Sequence, residues 1–170
     1  RHCFALVLQD SWLFEGTVME NIVYAAPEAR RDPQTVRELC RQIEVDSFIE
    51  SLPGGYDALL KSDSGGLSQG QKQLLNIART FLCDPPVFIL DEATSSVDTL
   101  TEARIKTVTD KVTAGKTSII IAHRLSTILN ADKIVVLRDG EIREVGRHEE
   151  LLAQGGLYKE LYESQFASLS

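Results

Sequence analysis

The chain has 170 residues, 43% hydrophobic and 25% charged, with a formal net charge of -7. This composition indicates a globular domain with its own core, and the acidic balance disfavours broad contact with nucleic acid or anionic lipid. The apolar runs are much shorter than the roughly 20 residues of a membrane-spanning helix, so we expect no direct insertion into a bilayer. The three cysteines match no metal or disulfide spacing, which favours a reducing compartment.

The first predicted element is a buried strand at Phe4–Leu8, where five apolar residues follow one another. A run of this kind needs neighbouring strands on both sides, so we expect the chain to be a piece of something larger. Residues 12–26 predict a loop with a short helical turn. Asp32-Pro33 then indicates a helix start, and a second helix is expected from Asp46 to the glycines after Pro53.

Residues 56–67 predict a loop, which leads into "LSQGQKQLLNIARTFLC". Ser68 and Gln71 have the spacing of a capping box at a helix start. The apolar residues that follow have helical periodicity and predict one broad buried face, formed by Leu74, Leu75, Ile77, Ala78, Phe81 and Leu82. Residues 12–82 are therefore expected to form a largely helical insertion.

The second half of the chain alternates strands with helices. "VFILDE" predicts a buried strand that ends at Asp91-Glu92, and Thr99 with Glu102 predicts a capped helix that reaches about Thr113. The remaining predicted elements are a strand at Ser118–Ala122 that ends at His123, a short helix, a hairpin of Lys133–Leu137 and Glu141–Val145, and helices at His148–Ala153 and Leu157–Ser168. The alternation predicts an α/β fold with a parallel sheet, whose carboxyl edge is the usual place for ligands.

Gly115-Lys116-Thr117 resembles the end of a phosphate-binding loop but fails the full pattern. The pattern G-x-x-x-x-G-K-[ST] needs a glycine at position 110, which is Asp110, and it needs a strand before the loop and a helix after it. Here the predicted order is reversed. The triplet is expected to end a helix and turn into a strand, and no other stretch fits the pattern.

Two stretches carry chemistry of their own. Asp91 at a strand tip can hold Mg²⁺, and Glu92 beside it can accept a proton from water. Ser68, Gly70 and a helix N-terminus together can bind an anion. Each pattern also has a plain structural explanation, a polar strand end or a well-capped helix.

Read in order, Gln9 at a strand end, "LSQGQ", "VFILDEATSSVD" and "IIIAHRLST" resemble the ATP-binding cassette (ABC) family of transport ATPases. The resemblance covers nearly the whole chain. "LFEGTVMENI" and "DGEIREVGRHEELLAQGGLYKELY" look most like the exporter branch, whose nucleotide-binding domain works with a transmembrane domain. The fold implied is a P-loop-NTPase (RecA-like) parallel sheet core, incomplete at its N-terminus, with a helical signature subdomain inserted after the Q-loop.

The resemblance also implies roles for single residues. The catalytic group would be Glu92 as general base, His123 as the switch histidine and Gln9 of the Q-loop. Asp91, the Walker B aspartate, and Gln9 would face Mg²⁺. The signature residues that contact ATP on a partner domain would be Ser68, Gln69, Gly70 and Gln71, with Asp98 of the D-loop at the dimer interface. Gln69 stands where the commonest signature has glycine.

The same resemblance implies a division of the chain and a set of partners. Residues 1–11 would be the Q-loop strand, 12–83 the helical subdomain, 84–147 the core and 148–170 the C-terminal helices. Expected partners are a second ABC ATPase domain, identical or different, and the coupling helices of a transmembrane domain near Trp12 and residues 14–24. Expected ligands are ATP and Mg²⁺, on the cytoplasmic side of a membrane.

Two alternatives stay open at this point. The chain could be a non-catalytic or degenerate half of an asymmetric ABC pair, although Glu92 and His123 argue against it. It could belong to the ABC-type ATPases of chromosome maintenance or DNA repair, although the heptads of their long coiled coils are missing. Because the family's phosphate loop lies upstream of the Q-loop, the 170-residue chain alone is expected to bind ATP weakly and not to hydrolyse it.

Overall fold

The computed structural model describes residues 4–8, 12–61, 66–91, 98–122 and 127–167. The chain divides into two compact units, Arg1–Ile121 and Ala122–Ser170. In chain order the first unit contains β1 (Phe4–Val7), β2 (Gly16–Thr17), α1 (Val18–Val23), α2 (Pro33–Gln42), α3 (Asp46–Glu50), β3 (Leu59–Leu60), α4 (Gln69–Cys83), β4 (Val87–Asp91), α5 (Thr99–Thr113) and β5 (Thr117–Ile121). The second contains β6 (Ile134–Arg138), β7 (Glu141–Gly146), α6 (His148–Gln154) and α7 (Leu157–Ala167).

The predicted parallel α/β sheet is present in the first unit. Its strands have the order β1-β4-β5, and both pairs are parallel. Val7 pairs with Leu90, and Asp91 pairs with Ile121, so the three strands end side by side. The parallel sheet therefore brings its carboxyl ends to one edge, with β4 between the other two strands.

The core of the first unit lies between one face of this sheet and the helices. Phe88, Leu90 and Val7 point to that side and are buried with the apolar faces of α4 and α5. Helix α4 buries the predicted residues Leu74, Leu75, Ile77, Ala78 and Leu82, and Phe81 packs against them half-buried. This packing fixes α4 against the sheet that carries Asp91.

The expectation that β1 and β5 are buried strands is wrong for much of their length. Phe4 is 60% exposed and Ile119 is 53% exposed, and Leu6, Leu8 and Ile121 are similarly open. Within the described residues β1 and β5 are the outer strands of the sheet, and these side chains alternate with the covered ones. An apolar run alone does not show which of its faces is covered.

Helix starts follow the predicted capping in two cases and differ in a third. Asp32 caps α2 by accepting from the backbone N–H of Thr35 at 2.9 Å, and Ser68 caps α4. Helix α5 begins at Thr99 as its first residue, and its cap is Asp98, whose carboxylate accepts from the N–H of Thr101 at 3.0 Å. The predicted capping box at Thr99 was therefore one residue late.

The turn at Gly115 confirms the structural interpretation of the Gly-Lys-Thr triplet. Helix α5 ends at Thr113, Gly115 has φ 71°, and β5 starts at Thr117. The ammonium group of Lys116 forms an ion pair with Asp84, whose carboxylate also binds Arg30 at 2.6 Å. Lys116 thus anchors the turn to the end of α4 and is not part of a phosphate loop.

The loop predicted for residues 56–67 contains a short strand that the sequence did not indicate. Leu59 and Leu60 form β3 and pair antiparallel with Gly16 and Thr17 of β2. Each strand has only two residues, and the partners lie more than forty positions apart in the chain. No local pattern could have predicted this pair.

The second unit consists of the predicted hairpin and two helices. Asp139 and Gly140 form the turn between β6 and β7, and both have positive φ, 54° and 78°. Glu144 of β7 accepts hydrogen bonds from the first amides of α7, those of Leu157 and Tyr158. Across the part of the chain that the structure describes, no helix is long and apolar enough to cross a bilayer.

Candidate functional site

The first turn of α4, residues 68–71, is called the signature turn below. The Ser68 hydroxyl accepts from the backbone N–H of Gln71 at 3.3 Å, and the Gln71 side chain accepts from the N–H of Ser68 at 2.9 Å. Gly70 is buried, whereas Ser68 is exposed. A hydroxyl that accepts through its oxygen still carries a proton that it can donate. The signature turn therefore presents a hydroxyl donor and a positive helix end on an accessible surface.

Gln69 and Gln71 differ in how they take part in this turn. Gln71 completes the reciprocal capping box, so its side chain already has a partner inside the chain. Gln69 is the first residue of α4 and is half-buried. Gln69 therefore fits the helix at the place where a glycine would be the commoner residue.

Asp91 is the last residue of β4, the central strand of the sheet. It is half-buried and pairs with Ile121 of β5, and the residue before it, Leu90, pairs with Val7 of β1. Its carboxylate is a hard oxygen donor of the kind that Mg²⁺ prefers. Its position at the end of the central strand fits a metal-facing role.

Asp98 is the N-cap of α5 and is exposed. The hydrogen bond from the Thr101 N–H holds the pKa of this carboxyl below its ordinary value. The structure thus gives Asp98 a local role as a helix cap, in addition to the interface role that the resemblance implies.

Gln9, Glu92 and His123, the three predicted catalytic residues, lie outside the described residues. Each follows a described strand of the same parallel sheet: β1 ends at Val7, β4 at Asp91 and β5 at Ile121. Among the described residues no cluster of three or more His, Cys, Asp or Glu side chains could hold a metal.

Trp12, Phe14 and Tyr24 form a cluster, called the aromatic patch below. The ring centroids are 5.8 Å apart for Trp12 and Phe14, 5.2 Å for Phe14 and Tyr24, and 6.1 Å for Trp12 and Tyr24. Trp12 is 59% exposed and Tyr24 is 60% exposed, whereas the neighbouring Leu13 is buried. The exposure of Trp12 and Tyr24 shows that these two rings are not packed in a core and are accessible for surface contact.

Sequence reasoning missed two polar residues behind the aromatic patch. Arg79 of α4 hydrogen-bonds the carbonyl oxygen of Trp12 at 3.0 Å and the carbonyl oxygen of Asn21 at 2.7 Å. Asn21 is fully buried. The only signal in the sequence was an arginine in a helix with a broad apolar face, and its partners lie 58 and 67 positions away.

The chain is similar in sequence to a known protein family and to several of its members. The family model described as "ABC transporter" matches residues 1–95. An ABC transporter ATP-binding protein of Bacillus subtilis, YfiC, is 52% identical over 166 residues, which cover 98% of this chain and 27% of that protein. A fatty acid ABC transporter ATP-binding/permease protein of Mycobacterium bovis is 49% identical over 95% of this chain and 25% of its own length.

One solved structure aligns with nearly the whole fold. It is a bacterial Atm1-family ABC exporter with ATP bound, and it superposes with a TM-score of 0.82 at 40% identity. The alignment covers 97% of this chain and 28% of that one. The chain thus spans about a quarter of the length of the proteins that it matches.

Proposed function

Since this chain belongs to the ABC transporter family, we propose that it is part of the nucleotide-binding domain of an exporter, which couples MgATP binding and hydrolysis to transport across a membrane. The observation that carries the proposal is the signature turn: "LSQGQ" stands at the start of α4 with Ser68 as its cap. The likeness to an ATP-bound exporter at 40% identity supports the same reading.

The proposed site is composite. Two such domains, identical or different, would face each other head to tail, and the signature turn of one would contact the γ-phosphate of ATP held by the other. The accessible hydroxyl of Ser68 and the N-terminus of α4 suit this contact, because both favour an anion. Asp98 would lie at the domain interface, where its position as an exposed cap leaves its side chain accessible.

The proposed chemistry is in-line attack of water on the γ-phosphate. Glu92 would accept a proton from that water, and Gln9 and His123 would orient and stabilise the transferring group. Asp91 would hold Mg²⁺ together with Gln9, and the metal would neutralise charge on the phosphates when bound. The carboxylate of Asp91 at the end of the central strand is the donor that supports this assignment.

The proposed partners on the membrane side are the coupling helices of a transmembrane domain. The exposed rings of Trp12 and Tyr24 support this, since large aromatic side chains are favoured at protein interfaces. The chain would then lie on the cytoplasmic side, with residues 12–83 as the helical subdomain between the sheet core and the membrane domain. The net charge of -7 gives no support to a nucleic acid partner.

The proposal is tested by a Glu92→Gln substitution in the full-length protein. The amide cannot accept the proton, so we expect ATP turnover to fall by at least about a hundredfold while ATP remains bound. Turnover and retention of radiolabelled ATP on the membrane-reconstituted protein measure the two effects. Asp57→Asn, an acid-to-amide change in another part of the chain, is the matched control. Turnover of Glu92→Gln equal to that of the wild type would remove Glu92 from its proposed role.

A further inference from the structure

Asn21 forms a polar node inside the first unit. Its side-chain amide group makes four hydrogen bonds. The oxygen accepts from the N–H of Phe14 and from Nη2 of Arg79, and the nitrogen donates to the carbonyl oxygens of Phe14 and Thr17, all at 3.0 Å. Asn21 is fully buried, so its own amide atoms have no access to water and depend on these bonds. Asn21 therefore fixes the backbone of Phe14, between Trp12 and α1.

Arg79 continues this node into α4. Its Nε donates to the carbonyl oxygen of Asn21 at 2.7 Å, and its Nη1 donates to that of Trp12 at 3.0 Å and to Oδ1 of Asn76 at 3.1 Å. The Asn21 carbonyl lies in the last turn of α1, where helix carbonyls lack partners within the helix. Burial lowers the pKa of Arg79. A planar guanidinium can satisfy several acceptors at once, which an ammonium group cannot do in the same geometry.

The guanidinium group of Arg79 also contacts two rings of the aromatic patch. The central carbon of Arg79 lies 5.9 Å from the ring centroid of Trp12 and 5.8 Å from that of Tyr24, within the range of a cation–π contact. The two rings are otherwise exposed. The inner side of the patch is thus held by α4, and the outer side is open.

Helix α4 connects this node to the signature turn. Ser68 caps the helix eleven positions before Arg79, about 16 Å along a rigid α-helix. Its buried face is packed throughout, and α1 packs directly against it. A displacement of the patch would therefore move the signature turn with it.

We propose that Arg79 and Asn21 are positioning residues that tie the aromatic patch to the signature turn, so that contact on the patch and nucleotide at Ser68 act on one rigid body. This rests on the proposed function, because it assigns the patch to a partner and the signature turn to ATP. Neither residue touches the nucleotide in this proposal. Their role is to transmit position between the two surfaces.

The test uses the full-length protein in lipid nanodiscs, with MgATP and vanadate as the probe and hydrogen–deuterium exchange as the measurement. In the wild type we expect nucleotide to slow exchange both in residues 68–75 and in residues 12–24. In Arg79→Met the response in 68–75 should persist, and the response in 12–24 should fall at least about fivefold. The N–H of Phe14 is the most direct reporter, because it is bonded to Asn21.

Further variants separate the link from general stability. Arg79→Lys keeps the positive charge but loses the planar guanidinium with its several donors, so we expect an intermediate response in residues 12–24. This variant replaces Arg79→Met if Arg79→Met does not fold. Asn21→Asp keeps both acceptor bonds and loses both donor bonds, and it is likewise expected to be intermediate. Arg37→Met is the matched control: Arg37 lies 4.3 Å over the Tyr56 ring and binds Glu50, and its loss should leave both responses as in the wild type.

The outcomes that overturn the proposal are distinct from a failure of the proposed function. Two results with Arg79→Met would show that Arg79 does not link the two surfaces. In the first, nucleotide still slows exchange in residues 12–24 as much as in the wild type. In the second, nucleotide no longer slows exchange in either 68–75 or 12–24. The proposal would also be overturned if nucleotide slowed exchange in residues 68–75 of the wild type but not in residues 12–24. A wild type with no response in 68–75 would instead contradict the assignment of the signature turn to nucleotide.

Discussion

Ser68 has two tasks in this account, and substitution can separate them. As the N-cap of α4 its hydroxyl accepts from the N–H of Gln71, and loss of such a cap costs about 1 kcal/mol. For a domain of this size that lowers Tm by roughly 2–4 °C. As a donor to a charged phosphate, the same hydroxyl would contribute about 1.5–3 kcal/mol, or roughly 10- to 160-fold in ATP turnover.

Ser68→Ala should therefore lose both stability and turnover, whereas Ser68→Asp should lose only turnover. Aspartate caps a helix as well as serine does, but it places a negative charge where the phosphate is expected. Circular dichroism on heating measures the first effect, and steady-state ATP hydrolysis by the full-length protein measures the second. Asp32→Ala, which removes the cap of α2, is the control for cap loss alone. Full turnover in Ser68→Asp would refute the phosphate contact, and an unchanged Tm in Ser68→Ala would refute the cap.

Three further substitutions test the framework around the site. A hydrogen bond and electrostatic attraction from Lys116 lower the pKa of Asp84 in the folded protein. The ionised Asp84 carboxylate therefore stabilises the fold above about pH 4, and this stabilisation is lost as the pH falls through the lowered pKa. Urea unfolding should therefore show Asp84→Asn less stable than the wild type at pH 6, by less than about 1 kcal/mol because the pair is partly exposed, and this difference should shrink as the pH falls below about 4. Gly115→Ala should cost about 1 kcal/mol in the same assay, because φ is 71° and the new Cβ would meet no other atom within 4 Å; no loss would contradict the turn geometry. Tyr56→Phe should cost about 1–2 kcal/mol, since it removes the hydrogen bond to Asp46 at 2.8 Å, and equal stability would show that this bond contributes nothing.

The features that could be predicted from the sequence are the ones set by local chemistry. The cap at Ser68 depends on residues three positions apart, and the turn at Asp139-Gly140 depends on two neighbours that tolerate positive φ. The strand at Val87–Asp91 was predictable because its apolar run is broken by a proline before it and carboxylates after it. These signals also placed Asp91 at the end of a strand.

The features that could not be predicted depend on distant partners. Arg79 and Asn21 meet across 58 positions, and neither residue type indicates such a contact. The cap of α5 shows a different difficulty: Asp98 and Thr99 are both good caps, and only the backbone geometry decides for Asp98. The exposure of Phe4 and Ile119 likewise depends on which elements cover the sheet, which no apolar run can reveal.

The most direct test of the account is complementation between two inactive variants of the full-length protein, Ser68→Arg and Glu92→Gln. If two copies form head-to-tail sites, a mixed dimer has one site with both defects and one site with neither. Mixing the variants during co-expression should then restore ATP turnover to as much as about a quarter of the wild-type value, while each variant alone stays inactive. Turnover in the mixed sample no higher than that of either parent would contradict the claim that the signature turn of one copy completes the site of the other.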